Sequence, residues 1–516
     1  MTLARQLAEI GRTYPQGEAL VYQDNKITYA ELNDQVNRLA SGLKTLGIKP
    51  EDRILLALGN SPEFVASFFA IIRCRCVAIP VNPEYTIHEL SVIVADAAPV
   101  AVVCTPQNAS IFMQLTEEQS RPLKIIVTRS THMEPPLYDY HSLLAAPAGN
   151  DCPPGQPDEV VEILYTTGNT GSPKGVMLTR QNLLSNALTF ARVCRLDCDD
   201  RSLLVAPVFH PAAQTCILLA TLFSGGTVVI RDGWEGARTL LETIEKERIT
   251  FFFGPPTMYA LMLNVSDAAR YNLAAWRIAL SGGAALSPQL FHAFEQKFGL
   301  QITEAYGLTE TSPVVSINPL DGMKKPGSIG RALPGVEVKV FDYEDRELPP
   351  GQVGEIVVRG PNVMKGYLHQ EEENRWIMRN GWFHTGDLAY MDDEGYLFIV
   401  DRKKNVIIRG GLNIDPREVE EVLYTHPRVF DVAVIGVPDA VMGEEVMAFV
   451  LLRDGSSTVE PGELQRYCAQ RLAEYKIPKR IQFVDDLPKT TSGKLFKREL
   501  KRMLVNYYEH NNNAPS

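Results

Sequence analysis

The stretch YTTGNTGSPKG, residues 165–175, carries three glycines, a proline, a lysine and several hydroxyls in eleven positions. A glycine-rich turn exposes consecutive backbone N–H groups, and such nests bind anions without a side chain. Thr166, Thr167 and Thr170 add hydroxyl donors and Lys174 adds a point charge, so the chemistry suited to this spacing is the holding of phosphate. The P-loop pattern is not met: Pro173 stands where its second glycine belongs, and Gly175 replaces its Ser or Thr. No G-x-G-x-x-G opens a helix here either, so this is not a dinucleotide fingerprint. On turn chemistry alone, an ordinary flexible turn has the same composition.

VEILY before the loop and GVMLT after it read as strands that must hold its ends. Around them the chain alternates helical and strand patterns. Leu32, Val36, Leu39, Leu43 and Leu46 recur at helical spacing and Gly47 marks a stop; DRILLALGN follows as a buried strand. Repetition of that unit predicts an α/β fold with parallel sheets covered by helices. The Pro- and Gly-rich stretch 135–157 reads as a surface connection. GVEVKVFD, GEIVVRG and GYLFIVD are short alternating strands, consistent with a small β-barrel or sandwich over about residues 331–400. Beyond DRKKNVIIRGG, the strands FDVAVIGV and EVMAFVLL and a helix around ELQRYCAQRLAEY form a compact α+β module. The polar end, about residues 506–516, reads as a disordered tail.

A formal charge of −11 argues against broad, sequence-independent nucleic-acid binding, which needs a basic surface. The eight cysteines are scattered, and neither close pair has histidines at metal-site spacing, so reduced thiols in a cytoplasmic protein are expected. The start, MTLARQLAEIGRTYPQ, lacks the apolar core of a signal peptide. The most apolar stretch, FVASFFAIIRCRCVAIPV, is broken by Arg73 and Arg75, and no membrane-spanning segment is expected. Peripheral contact with a membrane stays open.

The loop resembles the signature of the adenylate-forming superfamily, Y-[ST]-S-G-[ST]-T-G-x-P-K-G, in its acyl-CoA synthetase branch. Further motifs of that family follow in its order: AIPVNP (78–83), APVFH (206–210), SGGAAL (281–286), EAYGLTE (304–310), GSIGRALPG (327–335), WFHTGD (382–387), DRKKNVIIRGG (401–411) and PKTTSGK (488–494). The resemblance implies an N-terminal adenylation domain, residues 1–403, with two helix-flanked, mainly parallel sheets plus the small barrel. It also implies a small mobile α+β domain, residues 404–516, hinged at Lys404. The implied chemistry is an AMP-forming acid–thiol ligase: a carboxylate attacks the α-phosphate of ATP, and the adenylate passes its acyl group to CoA.

The same resemblance assigns roles. Thr166, Thr167, Gly168, Thr170, Gly171 and Lys174 would hold the β- and γ-phosphates. Glu310 would ligate Mg²⁺, a hard cation that needs few protein ligands beside phosphates and water. Thr309 would bond the α-phosphate, Tyr306 would stack on adenine, and Gly283, Ala284 and Gly307 would line the nucleotide and acid pocket. Asp387 would take the ribose hydroxyls and Arg402 the ribose or phosphate region. Lys494 would stabilise charge developing in adenylation. His210 would be the aromatic gate to the acid, and Gly410 and Gly411 would line the pantetheine tunnel.

Asn169 departs from the usual Thr or Ser, Thr167 from Ser, Arg180 from His and Ala285 from Pro; none removes a charged catalytic group. APVFHPAAQ lacks the aspartate that amino-acid-activating relatives place there, so an acid without an α-amine is expected. A fatty acid leads. An aryl acid, or transfer of the acyl group to a carrier protein, is the alternative, as is an acyl- or nucleotide-binding protein without turnover.

Overall fold

Short strands buried on both faces, such as Ala101–Cys104 and Phe251–Gly254, belong to parallel sheets with helices on each side. The computed structural model describes residues 2–117, 123–128, 137–149, 155–167, 173–402, 407–409, 412–414, 416–439, 442–453, 459–472, 474–488 and 500. The chain divides into two compact units, Met1–Val338 with Val358–Phe383 and Lys339–Val357 with His384–Ser516.

The first unit holds an eight-stranded and a nine-stranded sheet. In the eight-stranded sheet, Val160–Thr167, Val77–Pro80, Arg53–Ala57, Ala101–Cys104, Lys124–Val127 and Leu137–Asp139 run parallel. Pro173–Thr179 folds back antiparallel on Val160–Thr167, and Gly366–Tyr367 pairs with it at the edge. In the nine-stranded sheet, six parallel strands run from Ile302–Gly307 to Glu18–Tyr22, with antiparallel strands at both edges.

The helix expected after residue 28 spans Tyr29–Thr45 and starts with a capping box between Thr28 and Glu31. Of its predicted face, Leu32, Val36, Leu39 and Leu43 are buried, while Leu46 is the C-cap beyond the helix and only half-buried. The most apolar stretch forms the helix Pro62–Arg73, 12 residues long and buried from Phe64 onward. Among the described residues no helix is long and apolar enough to cross a membrane.

The surface connection expected over 135–157 is corrected in part. Leu137–Asp139 adds a parallel edge strand, and Tyr140–Leu144 forms a short helix capped by Asp139 that buries Tyr140 and Leu143. Prolines and glycines dominate the composition there and hide this short apolar element.

A four-stranded sheet is ordered Glu337–Phe341, Gly354–Arg359, Phe383–Met391, Leu397–Arg402. The C-terminal module is a five-stranded sheet packed by Pro416–Tyr424 and Pro461–Ala469 around Val419, Leu423, Val434, Val450 and Leu464. All seven described cysteines are free, and all but Cys198 are buried. Burial pushes the Cys74 thiol up to about 11 and the Cys104 thiol to about 12, as expected of unreactive core thiols.

Candidate active site

The two ends of the glycine-rich stretch belong to a pair of antiparallel strands. Val160–Thr167 and Pro173–Thr179 pair in register, with Tyr165 opposite Gly175, Thr166 opposite Lys174 and Thr167 opposite Pro173. The turn itself, with Gly168, Asn169, Thr170 and Gly171, lies outside the described residues. Its flanks are well anchored: the Tyr165 hydroxyl donates to Asp96 Oδ2 at 2.6 Å.

Lys174 does not project into solvent. Its Nζ donates to both carboxylate oxygens of Glu373 at 2.5 Å and stands 5.4 Å from the centre of the Tyr367 ring. Tyr367 in turn donates its hydroxyl to Glu310 Oε1 at 2.7 Å. Four side chains, Glu373, Lys174, Tyr367 and Glu310, therefore form a continuous chain. The segment 364–368 secures it, because Met364 N–H donates to the Glu310 carbonyl at 2.8 Å and Leu368 N–H to the Gly175 carbonyl at 2.8 Å.

Thr309 and Glu310 lie in a short 3₁₀ turn, Thr309–Thr311, after the strand Ile302–Gly307. Thr311 is buried and its hydroxyl accepts from Leu308 N–H at 3.0 Å, while Thr309 and Glu310 remain half-exposed. Asn362 Nδ2 donates to the Thr311 carbonyl at 3.1 Å, and Asn186 bonds both backbone groups of Val314. Gly307 is forced by close approach: a Cβ there would stand 1.9 Å from the Pro313 carbonyl oxygen.

Tyr306 sits half-exposed at the end of the same strand. The neighbouring strand Ile278–Ser281 leads into the loop carrying Gly283 and Ala284, both exposed. Gly283 has φ 82°, a left-handed conformation that suits glycine. Glu304, buried in the sheet, fixes the far end of this loop by accepting from Leu286 N–H at 3.0 Å.

His210 is half-buried in a turn held by Asn60, whose Oδ1 accepts from Val208 N–H at 2.8 Å. One turn later Gln214 N–H donates to the His210 carbonyl at 3.1 Å, and a π-helix, Ala213–Leu219, begins. Such helices are rare and occur frequently at functional sites. The Gln214 side chain is fully buried. Glu162, on the strand that leads to the loop, is equally buried. Burial pushes its carboxyl up to about 8, a rise that Gln214 only partly opposes.

In the second unit Asp387 is buried in the strand Phe383–Met391, in register with Arg402. The turn before it is braced by Glu355, which accepts from Gly386 N–H at 3.0 Å and bonds His384 Nδ1 at 3.0 Å. Thr385 Oγ1 accepts from Asp387 N–H at 3.1 Å. Lys404, Gly410, Gly411 and Lys494 lie outside the described residues, as does the disordered-tail expectation for 506–516.

No cluster of three or more His, Cys, Asp or Glu that would cage a metal exists among the described residues. The donors suit instead a hard cation shared between one carboxylate and substrate phosphates, since Tyr367 occupies Oε1 of Glu310 and leaves Oε2 for a metal.

Comparison with known proteins decides the family. The model of the AMP-binding enzyme family matches residues 7–368, and that of the AMP-binding enzyme C-terminal domain matches 418–494. The chain belongs to the AMP-binding enzyme family. Relatives of this AMP-binding enzyme include a feruloyl-CoA synthase of Amycolatopsis sp, 37% identical over 95% of this chain and 96% of the relative. A long-chain-fatty-acid–CoA ligase of Bacillus subtilis (strain 168) is 34% identical over 97% of this chain and 94% of its own. A crystal structure of ATP-bound MatB from Rhodopseudomonas palustris superposes with TM-score 0.91 at 32% identity, covering 98% of this chain and 100% of that one. The expected superfamily and fold class, a large α/β N-terminal domain with a smaller C-terminal domain, are thus those of this enzyme.

The sequence reading missed Tyr367, Glu373 and Glu162. Glu373 and Tyr367 stand 199 and 57 residues from the partners they meet, a separation that no local periodicity reveals. Glu162 carried a legible signal: a lone acid inside the otherwise apolar strand VVEILY.

Proposed function

We propose that the protein is an ATP-dependent acid–CoA ligase. An oxygen of the substrate carboxylate attacks the α-phosphorus of ATP, the bond to the β-phosphate bridge breaks, and pyrophosphate leaves. The CoA thiol then attacks the acyl carbon of the adenylate, loses its proton to solvent, and AMP departs with the bonding electron pair. Both reactants of the first step are anions, so the site must cancel repulsion and hold the two in line.

The observation that carries this reading is the convergence on Tyr367 of Lys174, over its ring, and Glu310, on its hydroxyl. A cation for the β- and γ-phosphates and a carboxylate for a phosphate-bound Mg²⁺ stand within reach of one side chain. Bound Mg²⁺ supplies charge neutralisation for the leaving pyrophosphate. Thr309 bonds the α-phosphate and Tyr306 covers adenine. Asp387 takes the ribose hydroxyls, Lys494 meets the developing charge, and Gly410 and Gly411 give CoA its path.

The acid is a fatty acid in the leading reading; the pocket residues Pro211–Gln214, Gly282–Ala285 and Tyr306–Pro313 include no basic side chain to hold a second carboxylate. Similarity to feruloyl-CoA synthases as well as to long-chain ligases favours an aryl acid as the second reading. The test is release of pyrophosphate and AMP from MgATP across alkyl and aryl acids, with and without CoA. CoA-dependent turnover with one acid class supports the ligase and names its substrate. Adenylate that CoA does not discharge points to a carrier-protein acceptor. ATP binding without turnover of any acid overturns the ligase.

A further inference from the structure

Lys174 retains only 9% of its side-chain exposure, and a buried ammonium needs a counter-charge. Glu373, 32% exposed, supplies it with both oxygens. Its neighbours Glu371 and Glu372 are exposed, so this acidic run turns one carboxylate inward and two outward. The backbone that carries Glu373 is fixed: the next residue, Asn374, accepts from Tyr367 N–H at 2.7 Å and donates to the Tyr367 carbonyl at 2.8 Å. The part free to move is the Glu373 side chain itself.

A carboxylate that accepts hydrogen bonds from a lysine with both oxygens occupies donors that a phosphate oxygen needs. A bound polyphosphate would compete with Glu373 for the donors and charge of Lys174. One carboxylate brings a single negative charge, whereas triphosphate and pyrophosphate bring several charges and more acceptor oxygens. We infer that Glu373 is the resting counter-ion of Lys174 and a specificity determinant of the phosphate pocket: polyphosphate displaces it, a monophosphate does not, and its return to Lys174 promotes pyrophosphate release. This rests on the assignment of Lys174 to the phosphates of ATP.

The sign of the effect separates this role from a structural one. A residue that merely orients Lys174 weakens phosphate binding when removed; a competing counter-ion strengthens it. Calorimetric titration of the full chain with MgATP, magnesium pyrophosphate and AMP tests this in wild type, Glu373→Gln, Glu373→Asp, Lys174→Ala and the Lys174→Ala/Glu373→Gln double variant. In Glu373→Gln the dissociation constants for MgATP and pyrophosphate fall about tenfold, the factor equivalent to about 1.4 kcal/mol of competing ion pair. AMP affinity stays unchanged, Glu373→Asp restores the wild-type values, and the gain vanishes on the Lys174→Ala background. The rise in melting temperature caused by saturating MgATP is also larger in Glu373→Gln, because the free variant holds an unpaired ammonium. Unchanged or weaker polyphosphate binding in Glu373→Gln overturns the exchange while leaving the nucleotide site in place. MgATP binding that is indifferent to Lys174→Ala instead sinks the nucleotide assignment on which the exchange rests.

Discussion

The hydroxyl of Tyr367 donates to Oε1 of Glu310 at 2.7 Å, although Tyr367 lies in an edge strand of the eight-stranded sheet and Glu310 in a turn after a strand of the nine-stranded sheet. The bond holds one oxygen of the candidate metal ligand and aims the other. Replacing Tyr367 with Phe keeps the ring beside Lys174 and removes the hydroxyl that makes that bond. The expected result is a several-fold higher Mg²⁺ requirement for adenylate formation, with a rate at saturating Mg²⁺ close to wild type. A magnesium titration of pyrophosphate release checks it; an unchanged requirement would show that the hydroxyl does not orient Glu310.

Glu162 ties stability to pH. Its folded-state carboxyl is pushed up to about 8, so between an ordinary glutamate value and that point the folded chain holds a proton that the unfolded chain has lost. The contribution is fully present in acid and declines by about 1.4 kcal/mol per pH unit as pH rises through this window. Glu162→Gln removes the slope. Urea melts at pH 5.5 and 7.5 should show the variant gaining roughly 2 to 3 kcal/mol on wild type between the two conditions. Parallel pH profiles for the two proteins would contradict it.

Gly307→Ala places a methyl group 1.9 Å from the Pro313 carbonyl oxygen. The turn bearing Thr309 and Glu310 must shift to admit it. A loss of about 1–3 kcal/mol in stability is expected, as for an overpacked site, together with weaker MgATP binding. Urea melts and ATP titration measure the two effects on one preparation.

Glu355 braces the turn before Asp387 through Gly386 N–H and His384 Nδ1. Glu355→Ala removes the partner of a half-buried N–H and of the buried His384 ring, at an expected cost of about 1–3 kcal/mol for the buried histidine. If Asp387 binds ribose, the variant also raises the dissociation constant for ATP more than that for pyrophosphate, which has no ribose. Equal weakening of both ligands would argue against Asp387 as the ribose contact.

What was legible in the sequence had a local cause. The helix Tyr29–Thr45 declared itself through helical spacing and the Thr28–Glu31 capping box, and the loop hairpin through its two short apolar strands. Illegible features depended on distant chain. Lys174 was legible as a point charge, but its partner Glu373 was not, because it arrives from a helix far along the sequence. The short helix at Tyr140–Leu144 was hidden by the prolines around it, and the π-helix Ala213–Leu219 has no composition to distinguish it from an α-helix. The glycines and Thr170 of the turn were readable as chemistry, yet their geometry lies outside the described residues.

The edge pairing of Gly366–Tyr367 on the loop hairpin has a consequence for recombination among relatives. Tyr367 answers to Glu310, Glu373 to Lys174, and the backbone of 364–368 to both the hairpin and the turn that carries Glu310. Segments near 160–180, 304–313 and 361–374 therefore constitute one heritable block despite their distance in the gene. A chimaera whose crossover separates the hairpin from 361–374 inherits a lysine and an acid tuned to different partners. A crossover that moves all three segments together preserves the match.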